Sequence, residues 1–375
     1  MTGCGVLSPF GRGVEALWEG LAAGRSAAGP IARFRADDLT PNVAAEVTEP
    51  GLDDADRAGA FALEAARQAL ADAGLATAPR HAGIVLGTTL GGMEIFESWD
   101  GAARDDLERV PYFAPAARVA RTLGCGGPVV TPQLACASGT HALAMAGDLV
   151  RTGAADVVLA GGADLLCRFV VAGFNALRAT APSARPFDRA RAGLILGEGA
   201  AVLVIESAAH AAARGARVRA RLAGVGAAAD ATHMTAPDRE GGGAVRAMTA
   251  ALADAGLAPQ AVDFVSAHGT GTVYNDAMEA RAIARVFGPG GVAVNSIKGA
   301  VGHMLGAAGA LEAVLCVEVL ARGLIPPTIG LREVDPACSA LDLVRDAPRS
   351  HETRIVLSTS SGFAGANAAL VFAAP

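Results

Sequence analysis

A seven-residue segment occurs twice in this chain and limits how the chain can fold. Residues 69–75 and residues 251–257 both read Ala-Leu-Ala-Asp-Ala-Gly-Leu. Each copy is followed by an apolar stretch typical of a β-strand, and each stretch runs into a Gly-Thr pair, at residues 87–88 and 269–270. Because helix, strand and loop recur in the same register, the sequence predicts two halves of similar topology.

The two predicted halves are residues 1–213 and residues 214–375. Helical and strand-like segments alternate within each half, a pattern typical of α/β proteins. Because strands in such proteins are covered by helices, we expect largely parallel, buried sheets. At 375 residues the chain is long enough to bury an extensive core.

Composition narrows the classes of function. Apolar residues make up 52% of the chain and charged residues 18%, which indicates a globular protein. The net charge of −6 argues against a nucleic-acid partner. Because no apolar run has the length of a membrane span and the first residues lack signal-peptide features, we expect no membrane association and a cytoplasmic location. The six cysteines lack metal-type spacing, which predicts free thiols and no metal site.

The segment around Cys136 has the features of a nucleophile turn. Residues 129–130 are β-branched, and apolar residues recur at helical spacing from residue 142 onward. Cys136 is therefore expected at a helix N-terminus, where unpaired backbone N–H groups and the helix dipole stabilise a thiolate. A buried, inert cysteine is the alternative interpretation, because a cysteine without a known base is only a candidate nucleophile.

Two histidines follow predicted strands in glycine-rich loops. His268 lies within Ser-Ala-His-Gly-Thr-Gly-Thr, and His303 lies five residues after Lys298, the single lysine of the chain. Either imidazole alone is explained by a hydrogen bond to the backbone. If the halves are related by a pseudo-twofold axis, equivalent strand ends converge, and Cys136, His268 and His303 share one pocket. The single lysine indicates a need for a compact ammonium group, although chance explains it equally well.

These motifs together resemble those of the β-ketoacyl-acyl carrier protein synthases, which are elongating ketosynthases of the thiolase-like superfamily. The resemblance covers essentially the whole chain and implies a thiolase-like, five-layered α/β/α/β/α fold made of two pseudo-duplicated halves. The matching segments are residues 134–139, Gly-Glu-Gly-Ala at 197–200, 268–272, Asn-Asp at 275–276, Lys298 with Gly-His at 302–303, and Gly-Phe-Ala-Gly-Ala-Asn at 362–367.

The resemblance implies a decarboxylative Claisen condensation. Cys136 takes an acyl group from a carrier-protein thioester, malonyl-acyl carrier protein loses carbon dioxide, and the enolate attacks the acyl group. His268 and His303 stabilise the enolate oxygen, while the backbone N–H groups of Cys136 and Phe363 stabilise the tetrahedral intermediate. Lys298 is expected to hold the histidine site by charge, paired with the supporting residue Glu279.

The resemblance also implies how the substrates bind. Thr270 and Thr272 match hydroxyls that bind the phosphopantetheine arm of acyl carrier protein, so no cofactor of the protein's own is expected. Each residue proposed for the acyl pocket has an ordinary core residue as its alternative. The positions that match the acyl pocket are Leu90, Phe113 and Leu194, and Asn367 matches a supporting position. By their charge, Arg57 and Arg109 are candidates for contact with an acidic carrier protein near the entrance, and ordinary solvated surface charge is the alternative explanation of each.

The chain departs from the family pattern at four positions. Ser361 replaces an aromatic residue in the gating loop, Ala364 replaces a glycine and Ala366 replaces a threonine. Pro132 falls in the strand that pairs across the family's dimer axis, where a proline cannot donate a hydrogen bond. We therefore expect either a homodimer or a heterodimer with a partner that resembles a chain-length factor.

Two other functions stay open. A cysteine hydrolase or non-condensing acyltransferase would use a single histidine to activate Cys136. A non-catalytic subunit resembling a chain-length factor would need no nucleophile, whereas this chain has one. Short segments around Asp164 and Asn275 favour type II polyketide or aryl-polyene biosynthesis over fatty-acid elongation.

Overall fold

The computed structural model describes residues 1–49, 51–52, 56–101 and 104–375. The strands are β1 Gly3–Ser8, β2 Gly11–Arg12, β3 Gly29–Pro30, β4 Val43–Ala45, β5 Gly83–Gly87, β6 Val129–Val130, β7 Val157–Asp164, β8 Leu196–Gly197, β9 Gly199–Glu206, β10 Arg221–Ala229, β11 Phe264–Ser266, β12 Ala293–Asn295, β13 Leu324–Ile325, β14 Asp342–Leu343, β15 Arg349–Ser350, β16 Ile355–Gly362 and β17 Ala366–Ala373. The α-helices are α1 Val14–Ala22, α2 Arg57–Asp72, α3 Met93–Ser98, α4 Ala114–Leu123, α5 Ser138–Arg151, α6 Arg168–Ala176, α7 Ala208–Ala213, α8 Gly242–Ala255, α9 Val273–Phe287, α10 Lys298–Val301 and α11 Ala308–Arg322.

Two six-stranded sheets repeat the same arrangement. The first has the order β2-β1-β9-β7-β5-β6, and the second has the order β10-β17-β16-β11-β12-β14. From β1 and from β10 onward, each sheet has two antiparallel pairings followed by parallel ones, two in the first sheet and three in the second. The predicted duplication is therefore confirmed. The expectation of largely parallel sheets is wrong in part, because β9 pairs antiparallel with β7 and β17 pairs antiparallel with β16.

The helices form three layers around these sheets. Helices α5 and α11 contact each other and lie between the sheets, where α5 packs on β7 and β17 and α11 packs on β9 and β16. Helices α2 and α4 cover the outer face of the first sheet, and α8, with α9 beside it, covers that of the second. The protein has the predicted thiolase-like α/β/α/β/α architecture.

Glycines in the facing strands explain why the repeated segment contains alanines. A Cβ atom added to Gly3 in β1 would lie 2.2 Å from the carbonyl oxygen of Ala69, and one added to Gly224 in β10 would lie 2.2 Å from that of Ala251. Both distances are far below van der Waals contact, so each helix rests directly on strand backbone. Small residues are needed on both surfaces for this close approach.

The aspartate of the repeated segment binds the backbone of a neighbouring strand in each half. Asp72 Oδ2 accepts a 2.8 Å hydrogen bond from the backbone N–H of Cys4, and Asp254 Oδ2 accepts a 2.9 Å bond from that of Val225. Each carboxylate thus binds the strand that carries the close-packed glycines of its own half. Segments identical in sequence perform the same task in the two halves.

Strand β6 lies at an edge of the first sheet. It pairs with β5 and consists of Val129 and Val130 alone. Within the single chain this strand ends at Val130, and Pro132 is buried in the segment that follows it. A proline there removes no ladder hydrogen bond. Its pairing across a dimer axis stays a prediction.

Among the described residues, no helix combines the length and apolarity needed to cross a membrane.

Candidate active site

Cys136 lies in a tight turn two residues before α5, as the sequence predicts. Ala135 adopts φ 48°, in the left-handed region that non-glycine residues avoid. The Ser138 hydroxyl stabilises the turn, since it accepts a 2.9 Å hydrogen bond from the N–H of Leu134 and donates a 2.6 Å bond to the carbonyl of Ala135. The turn is thus held in a conformation that presents the sulfur to a cavity.

Cys136 is buried, and burial raises the pKa of its thiol to about 12, although the positive charge of Lys298 opposes the rise. Desolvation disfavours a thiolate, so it counteracts the stabilisation expected from the helix N-terminus. The expectation of a thiolate in the resting protein is therefore not supported. The thiol must lose its proton as it attacks.

His268 and His303 lie beside each other in the Cys136 cavity. Their ring centroids are 5.2 Å apart with an interplanar angle of 83°, and both rings line a cavity of about 330 Å³ together with Cys136. Burial and the charge of Lys298 lower the pKa of each imidazole well below 6.5. Both rings are therefore neutral at physiological pH.

The hydrogen bonds at Nδ1 define the tautomer of each ring. The backbone N–H of Leu305 donates to His303 Nδ1 at 3.2 Å, and the Lys298 ammonium group lies 3.3 Å from His268 Nδ1. Because a backbone N–H and an ammonium group can only donate, Nδ1 is the acceptor in both rings. Each neutral imidazole consequently carries its proton on Nε2, so the site holds two N–H donors for an oxyanion.

Lys298 does not pair with Glu279, contrary to the sequence-based expectation. Its ammonium group forms a buried ion pair with Glu312 in α11 and also donates to the carbonyl of His268. Glu279 instead accepts hydrogen bonds of 2.7 Å from the backbone N–H groups of His268 and Gly269. The Thr359 hydroxyl is a third donor to the Glu279 carboxylate. Glu279 therefore holds the loop that carries His268 through backbone N–H groups and does not pair with Lys298.

The hairpin between β16 and β17 closes one side of the cavity. The Phe363 ring stacks on Phe174 with centroids 5.6 Å apart. A Cβ atom at Gly362 would lie 2.9 Å from the carbonyl oxygen of Leu134, so the hairpin backbone lies directly against the Cys136 turn. Ala364 adopts φ 62°, a conformation that favours the glycine it replaces.

Polar side chains hold this hairpin in place. Ser361 Oγ donates a 2.8 Å hydrogen bond to Asn367 Oδ1, and Asn367 Nδ2 donates a 2.8 Å bond to Asp230 Oδ1. The backbone N–H of Ala364 donates to the carbonyl of Met234 at 2.6 Å. Ser361, which replaces an aromatic residue, thus takes part in the hydrogen bonds that connect the hairpin to the loop after β10.

Family models match both halves of the chain. Residues 1–211 match the N-terminal domain of beta-ketoacyl synthase, and residues 219–332 match its C-terminal domain. The chain belongs to the β-ketoacyl synthase family. The predicted division at residue 213 stays a prediction.

Relatives resemble the synthase over nearly their whole length. Nodulation protein E of Rhizobium sp. (strain N33) is 42% identical, with 99% of this chain and 98% of the relative covered. The 3-oxoacyl-[acyl-carrier-protein] synthase 2 of Coxiella burnetii (strain RSA 493 / Nine Mile phase I) is 38% identical, with 99% and 97% covered.

Solved structures agree with the fold of the synthase. The ishigamide ketosynthase/chain length factor superposes with a TM-score of 0.93 at 41% identity, covering 100% of this chain and 98% of that one. A ketosynthase solved in complex with the type II polyketide acyl-carrier protein AntF and bound to the hexaketide gives a TM-score of 0.94 at 30% identity, with 100% and 98% covered.

The pocket residues of the synthase fall into three groups. Thr270, Thr272 and Leu194 line the cavity, and the two threonine hydroxyls lie 2.9 Å apart. Leu90 is buried in the apolar cluster that includes Leu194 but does not line the cavity. Phe113 is wrongly assigned within this chain, because its side chain precedes α4 at the surface and is 60% exposed.

The two arginines expected at the entrance lie elsewhere. Arg57 is buried in α2, and its Nη2 lies 2.8 Å from Glu198 Oε1. Its assignment to a docking surface is wrong, because a buried charge paired in this way cannot meet another protein. Arg109 is half-buried in the 3₁₀ turn Arg104–Arg109 and does not line the cavity.

Two important residues of the synthase were missed from the sequence. Glu312 is a carboxylate among the apolar residues 308–317 of α11, and a charged residue in such a stretch was the sequence signal that could have indicated a buried ion pair. Asp164 is fully buried and accepts hydrogen bonds from the Thr88 hydroxyl at 2.6 Å and from the backbone N–H of Gly306 at 2.6 Å. It connects the first half to the loop after His303, an interaction that local sequence does not indicate.

Proposed function

We propose that the protein catalyses the decarboxylative condensation of an acyl group on Cys136 with malonyl-acyl carrier protein, which gives a β-ketoacyl-acyl carrier protein. The observation that carries the proposal is the pair of neutral Nε2–H donors, His268 and His303, in the cavity that Cys136 lines. Two donors side by side suit an enolate oxygen, whereas a hydrolase would need one histidine acting as a base.

The first half-reaction transfers the acyl group. The Cys136 sulfur attacks the thioester carbonyl of acyl-carrier protein, and the C–S bond to the carrier breaks. The Cys136 proton leaves with the carrier thiol, so charge balances. The backbone N–H groups of Cys136 and Phe363 are the proposed donors to the oxyanion, a role supported by the close contact between the hairpin and the Cys136 turn.

The second half-reaction makes the carbon–carbon bond. Malonyl-carrier protein loses carbon dioxide, and the electron pair of the broken bond becomes the enolate, whose oxygen accepts from His268 and His303. The enolate carbon attacks the acyl-Cys136 carbonyl, and the C–S bond breaks to release the Cys136 thiolate, which takes a proton from solvent. Lys298 acts as a positioning residue because its ammonium group fixes the His268 tautomer.

The substrates are carried on the phosphopantetheine arm of acyl carrier protein, and the protein needs no cofactor of its own. Thr270 and Thr272 are the proposed contacts for the arm, since their hydroxyls line the cavity. We place the enzyme in the cytoplasm, because all six cysteines are free and a reducing compartment keeps thiols available.

The assembly is proposed to be a dimer, either with a second copy or with a subunit that resembles a chain-length factor. Support comes from the edge strand β6 and from the similarity to the ishigamide ketosynthase/chain length factor. Type II polyketide or aryl-polyene biosynthesis is the favoured pathway, and fatty-acid elongation is the alternative.

A His303→Ala variant tests the condensation. In the proposed mechanism the variant still takes an acyl group onto Cys136, as mass spectrometry of the intact protein detects, but decarboxylates malonyl-carrier protein at a rate reduced at least about 100-fold. Persistence of both acylation and turnover would favour a hydrolase or a non-condensing acyltransferase. Failure of the wild type to become acylated would favour a non-catalytic subunit, and Cys136→Ala is the negative control.

A further inference from the structure

A buried carboxylate holds the loop that carries Thr270 and Thr272. Asp276 lies in the first turn of α9 and is fully buried. Its Oδ1 accepts a 3.1 Å hydrogen bond from the backbone N–H of Thr270, and each of its oxygens lies 3.2 Å from the backbone nitrogen of Gly271. Oδ2 also accepts a 2.7 Å bond from the backbone N–H of Phe187. One carboxylate thus binds the loop and joins it to the predicted first half.

Arg191 binds the other end of the same loop. Its Nε donates to the carbonyl of Thr272 at 3.3 Å, and its Nη2 donates to the carbonyl of Val273 at 3.2 Å. Nη1 forms an ion pair with Asp335 at 2.6 Å, and Nε lies 3.9 Å from Asp276 Oδ2. The Arg191 side chain is only 3% exposed. Because a guanidinium group donates in several fixed directions, one side chain holds both carbonyls.

The loop backbone also lies directly against residues 185–193. Gly271 adopts φ 79°, and a Cβ atom there would lie 3.1 Å from the backbone nitrogen of Arg185 and 3.1 Å from the carbonyl oxygen of Gly193. The N–H of Gly193 donates a 3.1 Å hydrogen bond to the carbonyl of Gly271. Since the contact is between backbones, the position of the loop depends on how residues 185–193 are held.

We infer that Asp276 and Arg191 are positioning residues for the binding of the phosphopantetheine arm. Neither side chain lines the cavity, whereas Thr270 and Thr272, whose backbone they bind, both line it. The carboxylate binds N–H groups at the start of the loop and the guanidinium binds carbonyls at its end, so the two threonine hydroxyls are held 2.9 Å apart at the cavity wall. The inference rests on the proposed role of the two threonines in arm binding.

Substitution of either charged residue leaves buried backbone groups without a partner. Arg191→Met removes the donors to two carbonyls, and Asp276→Asn places an NH₂ group, which cannot accept, where a carboxylate oxygen binds N–H groups. The loop should then shift, and we expect the affinity for the arm to fall at least about 10-fold. Arg191→Lys keeps the charge but lacks the planar fork, so its loss should be smaller.

The experiment measures the dissociation constant of S-acetylpantetheine by ligand-observed NMR. Every protein carries Cys136→Ala, so that no acyl transfer occurs, and Cys136→Ala alone is the reference. The variants added to it are Arg191→Met, Arg191→Lys, Asp276→Asn, Thr270→Val/Thr272→Val, and the two valines combined with Arg191→Met or with Arg191→Lys.

Arg219→Met is the matched control. Arg219 is a largely buried arginine that forms ion pairs with Asp72 and Glu318, and none of these three residues lines the cavity. Its loss tests whether removal of any paired arginine weakens binding through a general loss of stability.

Weaker binding in Arg191→Met and Asp276→Asn, with the reference affinity in Arg219→Met, supports the inference. In the valine background Arg191→Met should weaken binding no further, because the two charges act through the threonines. If Arg191→Met does not fold, Arg191→Lys replaces it in both comparisons.

The reference affinity in folded Asp276→Asn, an equal loss in Arg219→Met, or a full additional loss in the valine background would overturn the inference. Absence of condensation by the wild type would refute the proposed reaction alone, because binding to the Cys136→Ala proteins is measured without turnover.

Discussion

The buried ion pair between Lys298 and Glu312 sets the chemical state of His268. One ammonium group binds the Glu312 carboxylate, the carbonyl of His268 and the Nδ1 atom of the same ring. Its positive charge also lowers the pKa of both active-site imidazoles, after the effect of burial. A charge that never touches the reacting atoms therefore helps to keep both imidazoles neutral and holds the His268 proton on Nε2.

Single and double substitutions in this ion pair should affect the stability of the fold and the decarboxylation activity differently. Glu312→Ala leaves a buried ammonium group without its partner, and we expect a loss of about 3–5 kcal/mol in the free energy of unfolding. The double variant Lys298→Met/Glu312→Leu fills the site with apolar groups, so stability should return toward wild type. Thermal unfolding and decarboxylation assays measure the two effects. Wild-type decarboxylation by the double variant would show that the pair has no role in activity.

The gating hairpin should be stabilised by a glycine at position 364. Ala364 has φ 62°, which costs an alanine about 1–2 kcal/mol, so Ala364→Gly should raise the unfolding temperature. Ala366, in the same hairpin, has φ −71° and serves as the matched control. Ala366→Gly should lower stability through the entropy of the unfolded chain. Equal effects of the two substitutions on thermal unfolding would contradict the argument.

The close packing of β10 on α8 should not tolerate a methyl group. Gly224→Ala places a Cβ atom 2.2 Å from the carbonyl oxygen of Ala251, and we expect a loss of at least about 2 kcal/mol in chemical denaturation. Gly173 is exposed in α6, and a Cβ atom there would meet no described atom within 4 Å, so Gly173→Ala should be neutral or stabilising by about 0.5–1 kcal/mol. A stable Gly224→Ala protein would mean that the repeat is not explained by packing.

Glu206 should make stability fall in acid. Burial acts to raise its pKa, but hydrogen bonds from Arg214, Thr2 and His210 outweigh burial and lower the pKa to about 2 from 4.5. A carboxyl group with a depressed folded-state pKa stabilises the protein above its unfolded pKa and loses this effect as pH falls toward the folded pKa. The contribution near neutral pH is on the order of 3 kcal/mol.

Thermal unfolding of Glu206→Gln and wild type from pH 7 to pH 3 measures this contribution. The difference between the two unfolding temperatures should be largest near pH 7 and should shrink below about pH 4.5. Glu240→Gln, at an exposed position, is the control and should follow wild type throughout. A difference independent of pH would show that the Glu206 charge does not stabilise the fold.

Much of the fold was predictable because its signals are local. The repeated segment reflects contacts within each half: Asp72 and Asp254 each bind the backbone of a nearby strand, and alanines pack on glycines. The position of Cys136 before a helix follows from the residues on either side of it. The antiparallel pairings were not predictable in the same way, because strand direction depends on how the chain returns to the sheet.

Sequence alone is enough to predict the duplicated architecture, the Cys136 turn and the two histidine loops, since periodicity and turn chemistry are set by neighbouring residues. The folded structure was needed to show that Lys298 binds Glu312 rather than Glu279, that Arg57 is buried, and that Phe113 lies at the surface. Burial in the folded protein also raises the pKa of the Cys136 thiol, an effect that the local sequence does not show. Charge pairing and burial depend on which distant segments meet, and that is a property of packing between the halves rather than of any local stretch.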